Sequence, residues 1–156
     1  MKTIYVIHGP NLNLLGEREP DIYGSLTLLE INKKLISIGN TLGLEVVTYQ
    51  SNHEGELIDA LQTIRKTASG IILNPGGYTH TSVALRDAIS AIDVPVIEVH
   101  MSNVYKREEF RHTSLISPVC LGKIVGFGWR SYLLALYAFS DKDGDSERAD
   151  NANNEP

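Results

Sequence analysis

Five short apolar runs, at 4–7, 46–47, 71–73, 94–99 and 124–125, punctuate the chain. They are rich in isoleucine and valine, and each predicts a β-strand. Between them the period changes. Ile31, Leu35, Ile38 and Leu42 recur at helical spacing behind Thr27-Leu28-Leu29-Glu30, as do Leu57, Leu61, Ile64 and Ala68 behind Ser51-Asn52-His53-Glu54. Both openings have the form of a capping box, in which a hydroxyl and a carboxylate satisfy N–H groups that a helix start leaves unpaired. A third helix is expected over 81–91 and a last one over 129–139, where Leu133, Leu136 and Tyr137 supply the apolar stripe. The order reads β-α five times.

Strands that alternate with helices pair in parallel, and right-handed crossovers put the helices on both faces of the sheet. The expected fold is α/β, a flavodoxin-like three-layer sandwich around a five-stranded parallel sheet. Ligands of such sheets bind beyond the carboxyl ends of the strands, so function is sought in the loops that leave those ends. Three of these loops carry chemistry. The segment 10–24 is long and polar at its far end, 74–81 is rich in glycine and hydrogen-bonding side chains, and 101–117 holds Lys106, Arg107 and Arg111.

A chain of 156 residues suits one domain, expected over 1–139, with 140–156 as an acidic, disordered tail. The tail has six acidic and two basic residues and so accounts for -4 of the formal charge of -5. The body is nearly neutral, which removes any electrostatic case for nucleic acid or an anionic membrane as partner. Cys120 is the only cysteine, excluding an internal disulfide and a cysteine-pair zinc site. The apolar run before His8 is far shorter than a signal-peptide core, so a reducing, cytoplasmic location is expected.

Among the residues that could do chemistry, Glu98 and His100 lie two apart at the end of the fourth predicted strand, on one face of it. The carboxylate could hold the imidazole protonated as a general acid, or the two could be a satisfied polar pair. Tyr23 shares the first long loop with Arg18. A free phenol has a pKa of about 10 and needs roughly 4 kcal/mol to act as a base at neutral pH. One cation at about 4 Å in an effective dielectric near 20 supplies an interaction of that order. Arg107 and Arg111, four apart, suit a carboxylate if they share a helical face, and solvated surface positions otherwise. Asn11, Asn13, Asn74, His80 and Ser102 add neutral hydrogen-bonding groups at strand ends, a set better matched to a polyhydroxylated substrate than to a metal. The chain has no phosphate-binding P-loop, no nucleophile elbow and no His-Glu-x-x-His, and Gly126-Phe127-Gly128 lacks the third glycine of a dinucleotide fingerprint.

Five ordered motifs carry a resemblance. They are Gly9-Pro10-Asn11-Leu12-Asn13-Leu14-Leu15-Gly16 with Arg18, Glu19, Pro20 and Tyr23-Gly24; Gln50-Ser51-Asn52-His53-Glu54-Gly55; Asn74-Pro75-Gly76-Gly77-Tyr78-Thr79-His80-Thr81-Ser82; Glu98-Val99-His100-Met101-Ser102-Asn103; and Arg107-Glu108-Glu109-Phe110-Arg111-His112. In these the chain resembles the type II 3-dehydroquinate dehydratases of the shikimate pathway. The resemblance implies trans elimination of water from 3-dehydroquinate through an enolate, with no metal and no organic cofactor. By the same resemblance, Tyr23 would take the C2 proton with Arg18 lowering its pKa, and Asn11 would hold a water against the enolate oxygen. His100, oriented by Glu98, would protonate the departing hydroxyl. The substrate carboxylate would meet Met101 and Ser102, while Asn74, His80, Asp87 and Arg111 would bind ring substituents with Arg107 nearby. The loop from Arg18 to Gly24 would close as a lid. A homododecamer built as a tetramer of trimers is implied as well, with Asp87 reaching into a neighbour's site. His8 stands where asparagine is frequent and Thr113 where a second histidine is common, and the tail is longer than the pattern requires; none of these departures falls on a proposed catalytic role.

Overall fold

Every predicted apolar run becomes a strand in the computed structural model, which describes residues 1–140. The expected disorder of the tail from residue 141 onward lies outside the described residues. The strands are β1 (Lys2–His8), β2 (Leu44–Gln50), β3 (Gly70–Asn74), β4 (Val96–His100) and β5 (Gly122–Val125). All pairings are parallel, in the order β2-β1-β3-β4-β5. This is the flavodoxin-like order expected from the sequence. Every residue of β3 and β4 is buried. Helices cover both faces there, so these strands read as continuous apolar runs rather than alternating ones.

The helices are α1 (Pro20–Tyr23), α2 (Leu28–Thr41), α3 (Glu54–Ile64), α4 (Val83–Ser90) and α5 (Arg130–Phe139). On one face Ile31 and Leu35 of α2 and Tyr132, Ala135 and Leu136 of α5 pack with Ile4, Val6, Ile72 and Val99. On the other, Leu57 and Leu61 of α3 and Leu85 and Ile89 of α4 pack with Ile7, Ile71, Leu73 and Val96. Each fully buried aliphatic side chain of this kind contributes roughly 1.5–3 kcal/mol relative to exposure. Among the described residues, no helix is long and apolar enough to cross a membrane.

Several local expectations are corrected. The Thr27–Glu30 capping box forms in both directions. The one expected at Ser51 does not, because the Ser51 hydroxyl donates to Glu56 and accepts from the His53 N–H, so α3 begins after His53 without a side-chain cap. The fourth β-α repeat lacks its helix, because β4 and β5 are joined by the 3-10 turns Val104–Lys106, Glu109–Arg111 and Ser117–Val119. That stretch has no apolar stripe at helical spacing, and Tyr105 and Phe110 stand exposed. In α5 the buried side is Tyr132, Ala135 and Leu136, while Tyr137 is 51% exposed. The segment is apolar almost all round, so its period alone does not select a face. The short α1 was not anticipated, although Pro20 at its first position and Gly24 just past its end are the signals for a helical turn.

The loops after β1 and β3 are forced together at the carboxyl edge. Gly9 N–H donates to the Asn74 carbonyl at 2.7 Å. A Cβ at Gly9 would sit 2.6 Å from the Pro75 carbonyl carbon, so only glycine permits this approach. The two predicted binding loops therefore share one wall.

Candidate active site

At that edge lies a cavity of about 150 Å³. It is smaller than the roughly 300–1,000 Å³ of sites for drug-sized ligands and suits one small ring. The fold brings ten of the twelve predicted site residues to its walls: Asn11, Arg18 and Tyr23 from the loop after β1, Asn74 and His80 from the loop after β3, and His100, Met101, Ser102, Arg107 and Arg111 from β4 and beyond. Glu98 lies behind His100 and is completely buried. Asp87 is exposed on α4 and does not line the cavity of its own chain. A wider cavity of about 510 Å³ adjoins the first, with Tyr23, Met101, Ser102 and Arg107 shared between them.

Tyr23, at the last position of α1, is enclosed by cations. Arg107 Nη1 donates to its hydroxyl oxygen at 2.9 Å and to Ser102 Oγ at 3.3 Å. The Arg107 and Arg18 guanidinium carbons lie 5.4 and 5.3 Å from the ring centroid. Arg18 also faces Glu19 at 3.5 Å. The cation that touches the phenol oxygen is thus Arg107, which the family resemblance placed only nearby. Arg107 is in extended backbone between two 3-10 turns, so it shares no helical face with Arg111. Arg111 reaches the cavity wall separately and pairs with Glu108 at 2.5 Å.

His100 and Glu98 form a buried dyad. Nε2 of His100 lies 2.6 Å from Glu98 Oε2. With Nε2 engaged, Nδ1 is the ring nitrogen left for a ligand. Three hydroxyls complete the carboxylate's surroundings: Thr79 donates at 2.9 Å, Ser114 donates at 2.9 and 3.0 Å, and Ser117 donates as well. Desolvation pushes the Glu98 pKa up, but the bond and charge of His100, the Ser117 hydroxyl and Lys123 outweigh it and hold the group down to about 2. An ionised carboxylate in a dry site is therefore ready to balance an imidazolium. Thr79, Ser114 and Ser117 were not singled out from the sequence; isolated hydroxyl residues carry no pattern, and only the fold places all three around one carboxylate.

The remaining groups are fixed by backbone detail. Asn11 is in the left-handed region at φ 69°, which asparagine tolerates better than most residues. Its N–H donates to Asn52 Oδ1 at 3.0 Å, Gln50 Nε2 donates to the same oxygen and to the Gly9 carbonyl, and Tyr78 Oη donates to the Asn52 carbonyl. The Gln50-Ser51-Asn52 motif, which lacked an assigned role in the sequence, thus ties the Asn11 loop in place. His80 Nδ1 donates to the Thr113 carbonyl at 2.8 Å, and its ring lies 6.4 Å from that of His100. Burial is the main cause that lowers the His80 pKa, against the opposing Thr113 bond, and favours a neutral ring.

Behind the cavity, His8 is wholly buried at the end of β1. Burial, opposed by its bond to Asn32, lowers its pKa to about 4. Between about pH 6.5 and 4 the unfolded chain takes up a proton that the folded chain refuses. This contribution to stability is whole above pH 6.5, shrinks as pH falls and is gone near pH 4. At 1.36 kcal/mol per pKa unit it amounts to about 3 kcal/mol. Comparison of urea midpoints at pH 7 and 4.5 should show a larger acid loss for the wild type than for His8→Gln; equal losses would exclude His8 as the source.

Among the described residues, no group of three or more His, Cys, Asp or Glu side chains could hold a metal ion. The family profile described as "Dehydroquinase class II" matches residues 2–140. The chain is similar to the 3-dehydroquinate dehydratase of Ruegeria pomeroyi, with 56% identity over 140 residues covering 90% of this chain and 94% of that one. It is also similar to that of Roseiflexus castenholzii, with 59% identity over 133 residues covering 85% of each. Among solved structures it is similar to the type II dehydroquinase of Butyrivibrio crossotus, with a TM-score of 0.87 and 46% identity over 88% of this chain and 97% of that one.

Proposed function

This chain belongs to the class II dehydroquinase family, and we propose that it is a lyase that removes water from 3-dehydroquinate to give 3-dehydroshikimate in the shikimate pathway. The observation that carries the reading is the pairing, on one small cavity, of a phenol flanked by nearby guanidiniums with an imidazole backed by a buried carboxylate. These are a candidate base and a candidate acid in different electrostatic surroundings, as elimination requires.

In this reading Tyr23, as phenolate stabilised by Arg107 and Arg18, removes a proton from C2, which is acidified by the neighbouring ketone. The electron pair moves to the ketone oxygen as an enolate, against which Asn11 holds a water. The enolate then re-forms the ketone and expels the hydroxyl on the far side of the new double bond, and His100 gives that leaving group its proton. Glu98 keeps the imidazolium in place while it waits. Met101 and Ser102 hold the carboxylate; Asn74, His80 and Arg111 hold ring substituents. The segment carrying Arg18 and α1 closes over the ring and keeps bulk water, beyond the one that Asn11 holds, from the enolate. Incubation with 3-dehydroquinate should produce the conjugated enone, seen as a new ultraviolet absorbance. Full activity on another hydroxy acid with none on 3-dehydroquinate would overturn the substrate assignment.

The working unit in this reading is a dodecamer of four trimers in the cytoplasm. The lone cysteine suits a reducing compartment. Asp87, outside its own cavity, reaches the cavity of a neighbour in the trimer. Co-expressed Tyr23→Phe and Asp87→Ala chains, each inactive alone, should then recover part of the activity, because some mixed sites combine an intact Tyr23 with an intact Asp87. Differential tagging establishes that mixed oligomers have formed. Mixed oligomers with no recovered activity would refute the shared site.

A further inference from the structure

A hydrogen-bonded chain of four side chains runs from the outer layer of the fold to the cavity. His8 Nε2 lies 2.8 Å from Asn32 Oδ1 on α2, and His8 Nδ1 lies 2.9 Å from the Tyr132 hydroxyl on α5. Asn74 Nδ2 donates to the same hydroxyl oxygen at 2.9 Å. The Gly76 N–H donates to Asn74 Oδ1 at 3.2 Å. His8 and Tyr132 are wholly buried, Asn74 is 4% exposed, and Asn74 alone of the four lines the cavity.

These contacts admit one polarity. The Asn32 carbonyl oxygen needs a donor, so His8 carries its proton on Nε2 and presents Nδ1 as an acceptor. The Tyr132 O–H donates to Nδ1, which leaves the phenol oxygen as an acceptor for Asn74 Nδ2. The carboxamide is then held from both ends, its nitrogen by Tyr132 and its oxygen by Gly76. One N–H of Nδ2 and one lone pair of Oδ1 remain for a ligand. Four polar groups in a layer otherwise filled by Ile31, Leu35 and Val6 add little net stability over a well-packed apolar replacement, since each gives up bonds to water.

From this geometry we infer that Asn32, His8 and Tyr132 are positioning residues for substrate binding, acting by holding the Asn74 carboxamide in one orientation at the cavity wall. The inference rests on the proposed role of Asn74 as a ligand of the substrate ring. A contact made equally to substrate and transition state changes KM and leaves kcat in place.

Steady-state kinetics with 3-dehydroquinate on a set of purified variants tests it. Tyr132→Phe, which removes the acceptor for Asn74 and the donor to His8, should raise KM about tenfold with kcat within about threefold of wild type. His8→Leu, which removes both the acceptor for the Tyr132 hydroxyl and the donor to Asn32 but keeps Tyr132 and Asn74, should move KM the same way and keeps the test available if Tyr132→Phe does not assemble. His8→Gln, whose amide can both accept from Tyr132 and donate to Asn32, should restore most of the affinity. Ile31→Val, in the same layer but outside the chain of bonds, should leave KM unchanged. A raised KM in Asn74→Ala with unchanged KM in folded Tyr132→Phe and His8→Leu would overturn the positioning inference and leave Asn74 as a ligand. An unchanged KM in Asn74→Ala would remove the reading of Asn74 itself. A loss confined to kcat, or equal KM changes in His8→Gln and His8→Leu, would also overturn the inference.

Discussion

Tyr23→Phe should lower turnover by at least about a thousandfold while the protein keeps its fold and binds a non-reacting substrate analogue within a few-fold of wild type. The substitution removes one oxygen from a half-buried ring on a four-residue helix, and that oxygen accepts a hydrogen bond from Arg107 Nη1. The ring keeps the Arg18 and Arg107 guanidiniums at 5.3 and 5.4 Å from its centroid, so the cation–π contacts survive. What disappears is the proposed proton acceptor. General base catalysis contributes typically about 10²–10⁴-fold, and a thousandfold loss corresponds to about 4 kcal/mol of barrier. Turnover within about tenfold of wild type would rule Tyr23 out as the base. Arg107 is the first place to look for partial defects, because its side chain bonds both the phenol and Ser102 and so couples, in the proposed mechanism, the base to the group that would meet the substrate carboxylate.

The second large effect belongs to His100→Gln. If His100 acts only on the leaving group, the first half of the reaction does not need it. The variant should therefore lose dehydration by about 10²–10⁴-fold yet still exchange the C2 proton of the substrate with deuterated solvent. Wild type and Tyr23→Phe serve as the comparison, because removal of the base should abolish both exchange and dehydration. Glutamine also leaves Glu98 facing a neutral partner, while Thr79, Ser114 and Ser117 still donate to the carboxylate and keep the buried charge from being orphaned. That makes the variant a test of chemistry more than of folding. Near-normal dehydration would end the assignment, and complete loss of exchange would place His100 in the first step instead.

Much of this molecule was legible in one dimension. Strands at 4–7, 71–73 and 94–99 declared themselves as apolar runs, and the Thr27–Glu30 box marked the start of α2, because burial and capping act on neighbouring residues and leave a local pattern. The alternation of elements and the handedness of crossovers left few strand orders, and the flavodoxin-like one chosen among them is the one observed. Even Glu98 and His100 could be paired from sequence, since residues two apart on a strand share a face. The motif resemblance went further and supplied a substrate that no periodicity contains.

Other features depended on distance across the fold. Arg107 and Tyr23 are 84 positions apart, and nothing in either neighbourhood states that a guanidinium will meet the phenol at 2.9 Å. Ser114 and Ser117 become partners of Glu98 only because the connection from β4 to β5 runs back past the strand end in 3-10 turns. Ser51 lost its expected capping role because Glu56 offered a competing acceptor for its proton. The buried face of α5 was open because its residues are apolar all round, and packing against α2 and the sheet chose Tyr132 over Tyr137. Ser51 and Glu56 are five residues apart and their bond is local, but the other cases share one physical reason. Local pattern records which groups must leave water, whereas the partner that each polar group finds there is decided by loops and faces that meet only in three dimensions.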